Sequence, residues 1–279
     1  MKNWKSYLFL CLIASYLLAI NSCKPTNSIE EGPSLPPQES MNMNFDFNQL
    51  KSASVTDTTL PYHTRAVLVT SYWSTVAGIQ TSVPTAAFKA AINQTPVHAD
   101  SIWIWSYDFS LGNNNFLATL KGQVKGDSVQ WKMYLSKVDA TPSISNFLWF
   151  EGKSHIALTG GWWIIYYPMS VNSEIVSEAS LLIRWSITND RERWLQYTYV
   201  ADKVWGTNSY IDNINKGGYI KYGLKGNSVY DAYYDIYSQA EGNLFEILWN
   251  RSNRSGQINL NSSTVGCWDI SLADKATCD

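Results

Sequence analysis

The sequence predicts an all-β protein: an antiparallel meander, curled into a barrel or a strongly curved sheet, with one short N-terminal helix. A two-sheet sandwich is the alternative. Three observations predict this class. Segment after segment beyond residue 100 alternates apolar and polar residues with period two. The links between them are short and rich in glycine and asparagine, as antiparallel neighbours require. Aromatic and branched residues fill the segments, and 12 of the 13 tryptophans lie beyond residue 22.

In chain order, the first element is a targeting segment. Lys2 and Lys5 precede an uncharged, mostly apolar run from Leu8 to Ile20. That run falls short of the roughly 20 apolar residues a spanning helix needs, and its layout is that of a secretory signal. It ends on Ile20-Asn21-Ser22-Cys23. These four residues resemble the lipobox of bacterial lipoproteins, with Asn21 standing where that family usually has a small residue. The resemblance implies a signal peptide over 1–22, cleavage before Cys23, and acylation of its thiol. With Lys24 second in the mature chain, it also implies the outer membrane, on either face. One acyl chain anchors only marginally, and lipoproteins of this family carry two or three.

Residues 23–40 hold the anchor and a proline-rich segment, "KPTNSIEEGPSLPPQES", with almost no apolar bulk. Such a composition predicts a flexible tether. Residues 41–279 are then a single β-rich domain. Without Lys2 and Lys5 the chain has 19 basic against 23 acidic residues, a net charge of −4. That balance offers no basic surface for nucleic acid.

Within the domain, "MNMNFDF" and "TRAVLVTSYW" read as short strands. "SVPTAAFKAAIN" reads as the helix, with Ser82 as its cap, Pro84 in its first turn, and Phe88 and Ile92 on one face. The meander follows: "SIWIWSYDF", "SVQWKMYL", "GGWWIIYYP", "SLLIRWSIT", "RWLQYTYV", "GGYIKYGL", "SVYDAYYDIY" and "LFEILWN". Gly126-Asp127 and Gly226-Asn227 read as two-residue hairpin turns. Cys267 and Cys278, an even pair outside the cytoplasm, read as a disulfide stapling the C-terminal strand.

A shift of 100 residues aligns "LKGQVKGDSVQWKMY" with "IKYGLKGNSVYDAYY" without a gap. Twelve identities fall within 45 positions, which suggests two internal repeats at about 101–150 and 201–250. Convergence explains them equally well, because any meander reuses glycine turns and aromatic strands.

Chemistry is sparse. His98 and Asp100 share a face if extended, but no third metal ligand stands at a recognisable spacing. No nucleophile elbow, phosphate-cradling loop or cofactor motif is present. Asp231 and Asp235 share a strand face with Tyr233 and Tyr237. At two steps of roughly 6.7 Å the carboxyls stand about 13 Å apart, too far for glycoside hydrolysis unless Glu246 on the next strand closes the gap.

The aromatics carry more weight. "GGWWIIYYP" is apolar on both faces, and "SIWIWSYDF" begins the same way. Both faces are covered by protein, or one lines a cavity or contact surface. The expected function is therefore non-catalytic: a membrane-anchored domain binding an apolar small molecule or a glycan. Trp103, Trp105, Trp162 and Trp163 are the candidate contacts, with Asp231 and Asp235 beside them. The alternatives are an interaction subunit of an outer-membrane assembly, with a protein partner, and a carboxylate-dependent glycoside hydrolase. No metal or cofactor is expected.

Overall fold

The computed structural model describes residues 31–42, 60–137, 139, 143–171, 174–205 and 210–278. A 3-10 turn at Gln38–Ser40 is followed by one long helix, α1 (Tyr62–Ala91). Then come β1 (Val97–Ala99), β2 (Ile102–Leu111), β3 (Asn114–Lys125), β4 (Ser128–Lys137), β5 (Ile144–His155), β6 (Gly160–Val171), β7 (Glu174–Asn189) and β8 (Glu192–Tyr199). After β9 (Lys203–Trp205) and β10 (Tyr210–Asp212), the chain continues with β11 (Tyr219–Leu224), β12 (Ala232–Ser238), β13 (Asn243–Trp249), β14 (Gly256–Leu260) and β15 (Ser263–Trp268).

Thirteen strands make one antiparallel sheet in chain order, β1 to β8 and then β11 to β15. β9 and β10 pair with each other in the link between β8 and β11. The sheet is an open, curled meander. Its early strands β2 and β3 and its last strands β14 and β15 all pack on the same helix. Closure into a barrel, which the sequence allowed, does not occur. β1 is only three residues long, and the free side of β15 is taken by the chain's own C-terminal return. Trp268 bridges Asp274, Lys275 N donates to Cys267 O, and the Cys267–Cys278 disulfide fixes that return with a Cα–Cα distance of 5.7 Å.

The helix is the main departure from the sequence reading. Residues 64–73 are helix rather than strand, Pro84 lies inside the helix, and Ser82 is not its cap. The branched residues between Val67 and Val83 favour strand locally. The burial stripe overrides them: His63, Ala66, Thr70, Thr81, Pro84, Phe88 and Ala91 recur at helical spacing and face the sheet. The hydroxyls that would disturb a helix bond back along it, Thr70 to Ala66 O and Ser74 to Thr70 O, at 2.9 and 2.7 Å. Small residues on that stripe let α1 lie against a concave face crowded with indoles.

That concave face is the core. Trp131, Trp163, Trp185 and Trp268 are its largest fully buried side chains. They lie flat because glycines on adjacent strands leave room. A Cβ on Gly152 would overlap the Trp163 ring, and one on Gly256 would overlap Trp268. Trp131 donates to Ser154 Oγ at 2.9 Å and Trp163 to Ser40 Oγ at 3.3 Å.

The convex face is wet. Gln130, Lys153, Arg184, Gln196, Lys221 and Asp235 fall in one cross-strand row with Trp162 between Lys153 and Arg184. A membrane-spanning barrel carries an apolar band there instead. No helix among the described residues is long and apolar enough to cross a membrane.

Further expectations meet the structure. The described residues from Pro33 onward fall in one compact unit, and Pro36, Ser40 and Met41 are buried. The strand expected at "MNMNFDF" lies mostly outside the described residues, though Met41 itself packs into the core. Gly126-Asp127 is a two-residue turn with Gly126 at φ 62°. Gly226-Asn227 is not, because β12 starts only at Ala232 and Asp231 O accepts from Lys225 N to close a longer loop. At the 100-residue shift β3, β4 and β5 correspond to β11, β12 and β13, each set consecutive in the sheet. Tyr134 and Tyr234 nevertheless differ: Tyr134 is half-buried with Lys121 over its ring, whereas Tyr234 is 1% exposed in the core.

Candidate functional site

Where α1 crosses β7, β8, β11 and β12, the helix and the sheet part to leave a cleft of about 370 Å³. That is room for roughly a dozen waters, or for a small ligand. The helix contributes Tyr72, Trp73, Ala77 and Gln80; Trp73, Ala77 and Gln80 are a turn apart, and Ala77 lies on the line of the buried stripe between Thr70 and Thr81. The sheet contributes Leu181, Tyr197, Tyr199, Ile220 and Ile236 as the opposite wall. The rim comes from Asn213 and Asn215 after β10, and from Ser238 and Gln239 at the end of β12.

Fixed hydrogen bonds shape this cleft. Gln80 Nε2 donates to Tyr199 OH at 3.0 Å, bridging helix and sheet. Tyr197 OH donates to Met41 O at 2.8 Å, so the docked N-terminal segment is tied to the same wall. Burial raises the Tyr197 phenol well above its ordinary value, which keeps it a donor. Asn213 Nδ2 donates to Ala201 O, and its Oδ1 accepts from Asn215 N, both at 3.0 Å. That holds the rim loop in place. Among the described residues no Asp, Glu, Lys, Arg or His lines the cleft. A second, more open depression of about 340 Å³ at the β2–β3 tip is lined by Asp108, Asp139 and Phe109.

The sequence-predicted residues lie elsewhere. Trp103, Trp105 and Trp163 are 7%, 3% and 0% exposed and belong to the core. His98 stacks on Trp103 at 4.2 Å between ring centroids. Trp162 is half-buried on the convex face, in register with Lys153 and Arg184. Asp231 pairs with Arg251 Nε at 2.9 Å and accepts its backbone N–H. None of these borders the cleft. Tyr72, Trp73 and Gln80 escaped notice because their segment reads as strand and loop. Their signal is the period-3.6 burial stripe around them. Asn213, Asn215 and Gln239 carry no local signal, since only tertiary folding brings their loops to the rim.

The carboxylates meet in one respect. Asp235 on β12 stands directly opposite Glu246 on β13, and opposite Lys221 on β11. Directly opposed residues have Cβ atoms about 5 Å apart, so Glu246 does close the gap that Asp231 cannot. Burial, and then Glu246, raise the Asp235 carboxyl to about 6, against the pull of Lys225 and Lys221. The pair lies on the convex face and borders neither depression. Cys267 and Cys278 form the expected disulfide. Among the described residues no three His, Cys, Asp or Glu side chains gather to hold a metal. No family model, curated protein or solved structure matches the chain.

Proposed function

We propose that this chain is an exported lipoprotein, anchored in the outer membrane through acylated Cys23. Its β domain binds a small uncharged molecule, apolar or glycan, without transforming it. The lipobox-like signal supports the address. The observation that carries the binding reading is the cleft between α1 and the sheet, an aromatic-walled recess of about 370 Å³ with no charged side chain among the described residues that line it. Concave, largely apolar recesses with a few placed polar groups are where proteins hold small ligands. The carboxylate pair Asp235–Glu246 lies away from this recess, which favours binding over hydrolysis.

Native mass spectrometry of the full chain, extracted gently from its own host, tests both parts. The denatured spectrum should show a chain beginning at acylated Cys23. The native spectrum should carry an additional small-molecule mass that denaturation removes. A native spectrum equal to the denatured one would oppose the binding reading, and an unacylated start at another residue would oppose the anchor.

A further inference from the structure

From the cleft's chemistry we infer that its ligand is an uncharged sugar, held by aromatic stacking and by the rim amides. This rests on the cleft being the binding site and narrows what it takes. Two features of the lining point the same way. The first is a pair of rings at the mouth: Tyr72, 61% exposed, meets Trp73 edge to face, with centroids 5.1 Å apart and planes at 76°. A large exposed ring beside a half-buried indole offers a face to a flat apolar surface, such as the C–H side of a pyranose.

The second feature is a set of neutral donors and acceptors on the same recess. Gln80 spends its Nε2 on Tyr199, leaving Gln80 Oε1 as an acceptor and the Tyr199 hydroxyl proton as a donor. Asn213 is consumed by its own loop, but the amides of Asn215 and Gln239 are not spent on other described residues. A purely apolar guest would strip water from these groups and return no hydrogen bond. A charged guest would find no opposite charge among the described residues of the lining. A polyhydroxylated neutral ring satisfies both features, because each hydroxyl both donates and accepts while the ring's face stays apolar.

The test titrates the full chain, by calorimetry and tryptophan fluorescence, with four neutral disaccharides: maltose, cellobiose, mannobiose and diacetylchitobiose. A galacturonic acid dimer and the uncharged apolar probe N-phenyl-1-naphthylamine serve as contrasts. At least one neutral sugar should bind saturably and displace the probe, and the uronic dimer should not bind. Trp73→Phe should change the fluorescence response. Gln239→Ala, a rim change outside the core, should weaken the sugar five- to tenfold while leaving probe binding intact. Saturable probe binding that no sugar displaces overturns the sugar inference and leaves the cleft reading standing. Equal binding of the uronic dimer overturns the neutrality argument. Failure of every probe to bind overturns the inference and the site together.

Discussion

Replacing Asp235 with asparagine should stabilise the protein, and only at neutral and alkaline pH. The carboxyl lies half-buried across from Glu246, and its pKa is lifted from the ordinary 3.8 to about 6. At pH 3.5 the group is mostly protonated in both the folded and the unfolded chain, so it contributes only a few tenths of a kcal/mol of penalty at most. Between about 4 and 6 the unfolded carboxyl ionises while the folded one keeps its proton, and stability falls as pH rises. Above about 6 both are ionised and the full penalty applies. The gap between 3.8 and about 6, at about 1.4 kcal/mol per pH unit, sets a ceiling of about 3 kcal/mol. Solvent reaches part of the group, and screening reduces this to about 1 kcal/mol. Asp235→Asn should therefore gain about 1 kcal/mol at pH 8, or roughly 2–4 °C in melting temperature, and almost nothing at pH 3.5. Urea unfolding of parent and variant at pH 3.5, 6 and 8 reads the difference. His63 acts oppositely: burial, then Arg254, lower its pKa, so stability drains as pH falls below 6.5. That contribution is common to both chains and cancels. A variant less stable at pH 8, or one with the same gain at every pH, would refute the reasoning.

Three other perturbations probe the fold around the site. Gly152→Ala drives a methyl group into the Trp163 ring and should cost about 1–3 kcal/mol, read as a lower urea midpoint. Cys278→Ser releases the C-terminal return from β15 and should cost up to about 3 kcal/mol, with faster amide exchange along Ser263–Trp268. Tyr197→Phe leaves the Met41 carbonyl without its donor. It should cost about 1 kcal/mol and open residues 33–42 to limited proteolysis, whereas an unchanged cleavage pattern would deny that this bond holds the segment.

The meander was legible because each strand repeats its burial with period two. Trp103, Trp105 and Tyr107 alternate with the outward Ile104 and Ser106, as Trp131, Met133 and Leu135 do with Lys132 and Tyr134. Two things were hidden. The first half of α1 is rich in Val and Thr, whose local preference is extended, and only packing against the indoles makes it helical. Openness of the sheet depends on the C-terminal return beside β15, a contact between Trp268 and Asp274 that no strand pattern encodes. The site was hidden for the same reason. One wall comes from a helix whose sequence favours strand locally, and the rim comes from loops that meet only after folding. Of the four candidate tryptophans, Trp103, Trp105 and Trp163 are ones the core needs, and Trp162 stands half-buried on the convex face.

The most direct test fills the cleft. Ala77 lines it from the helix at a partly buried position, and Ala77→Trp would fill a large part of its roughly 370 Å³. The retained small-molecule mass should then be present on the parent chain and absent from the variant, with both chains folded by circular dichroism. A variant that folds and still carries the same mass would place the ligand elsewhere and contradict the account.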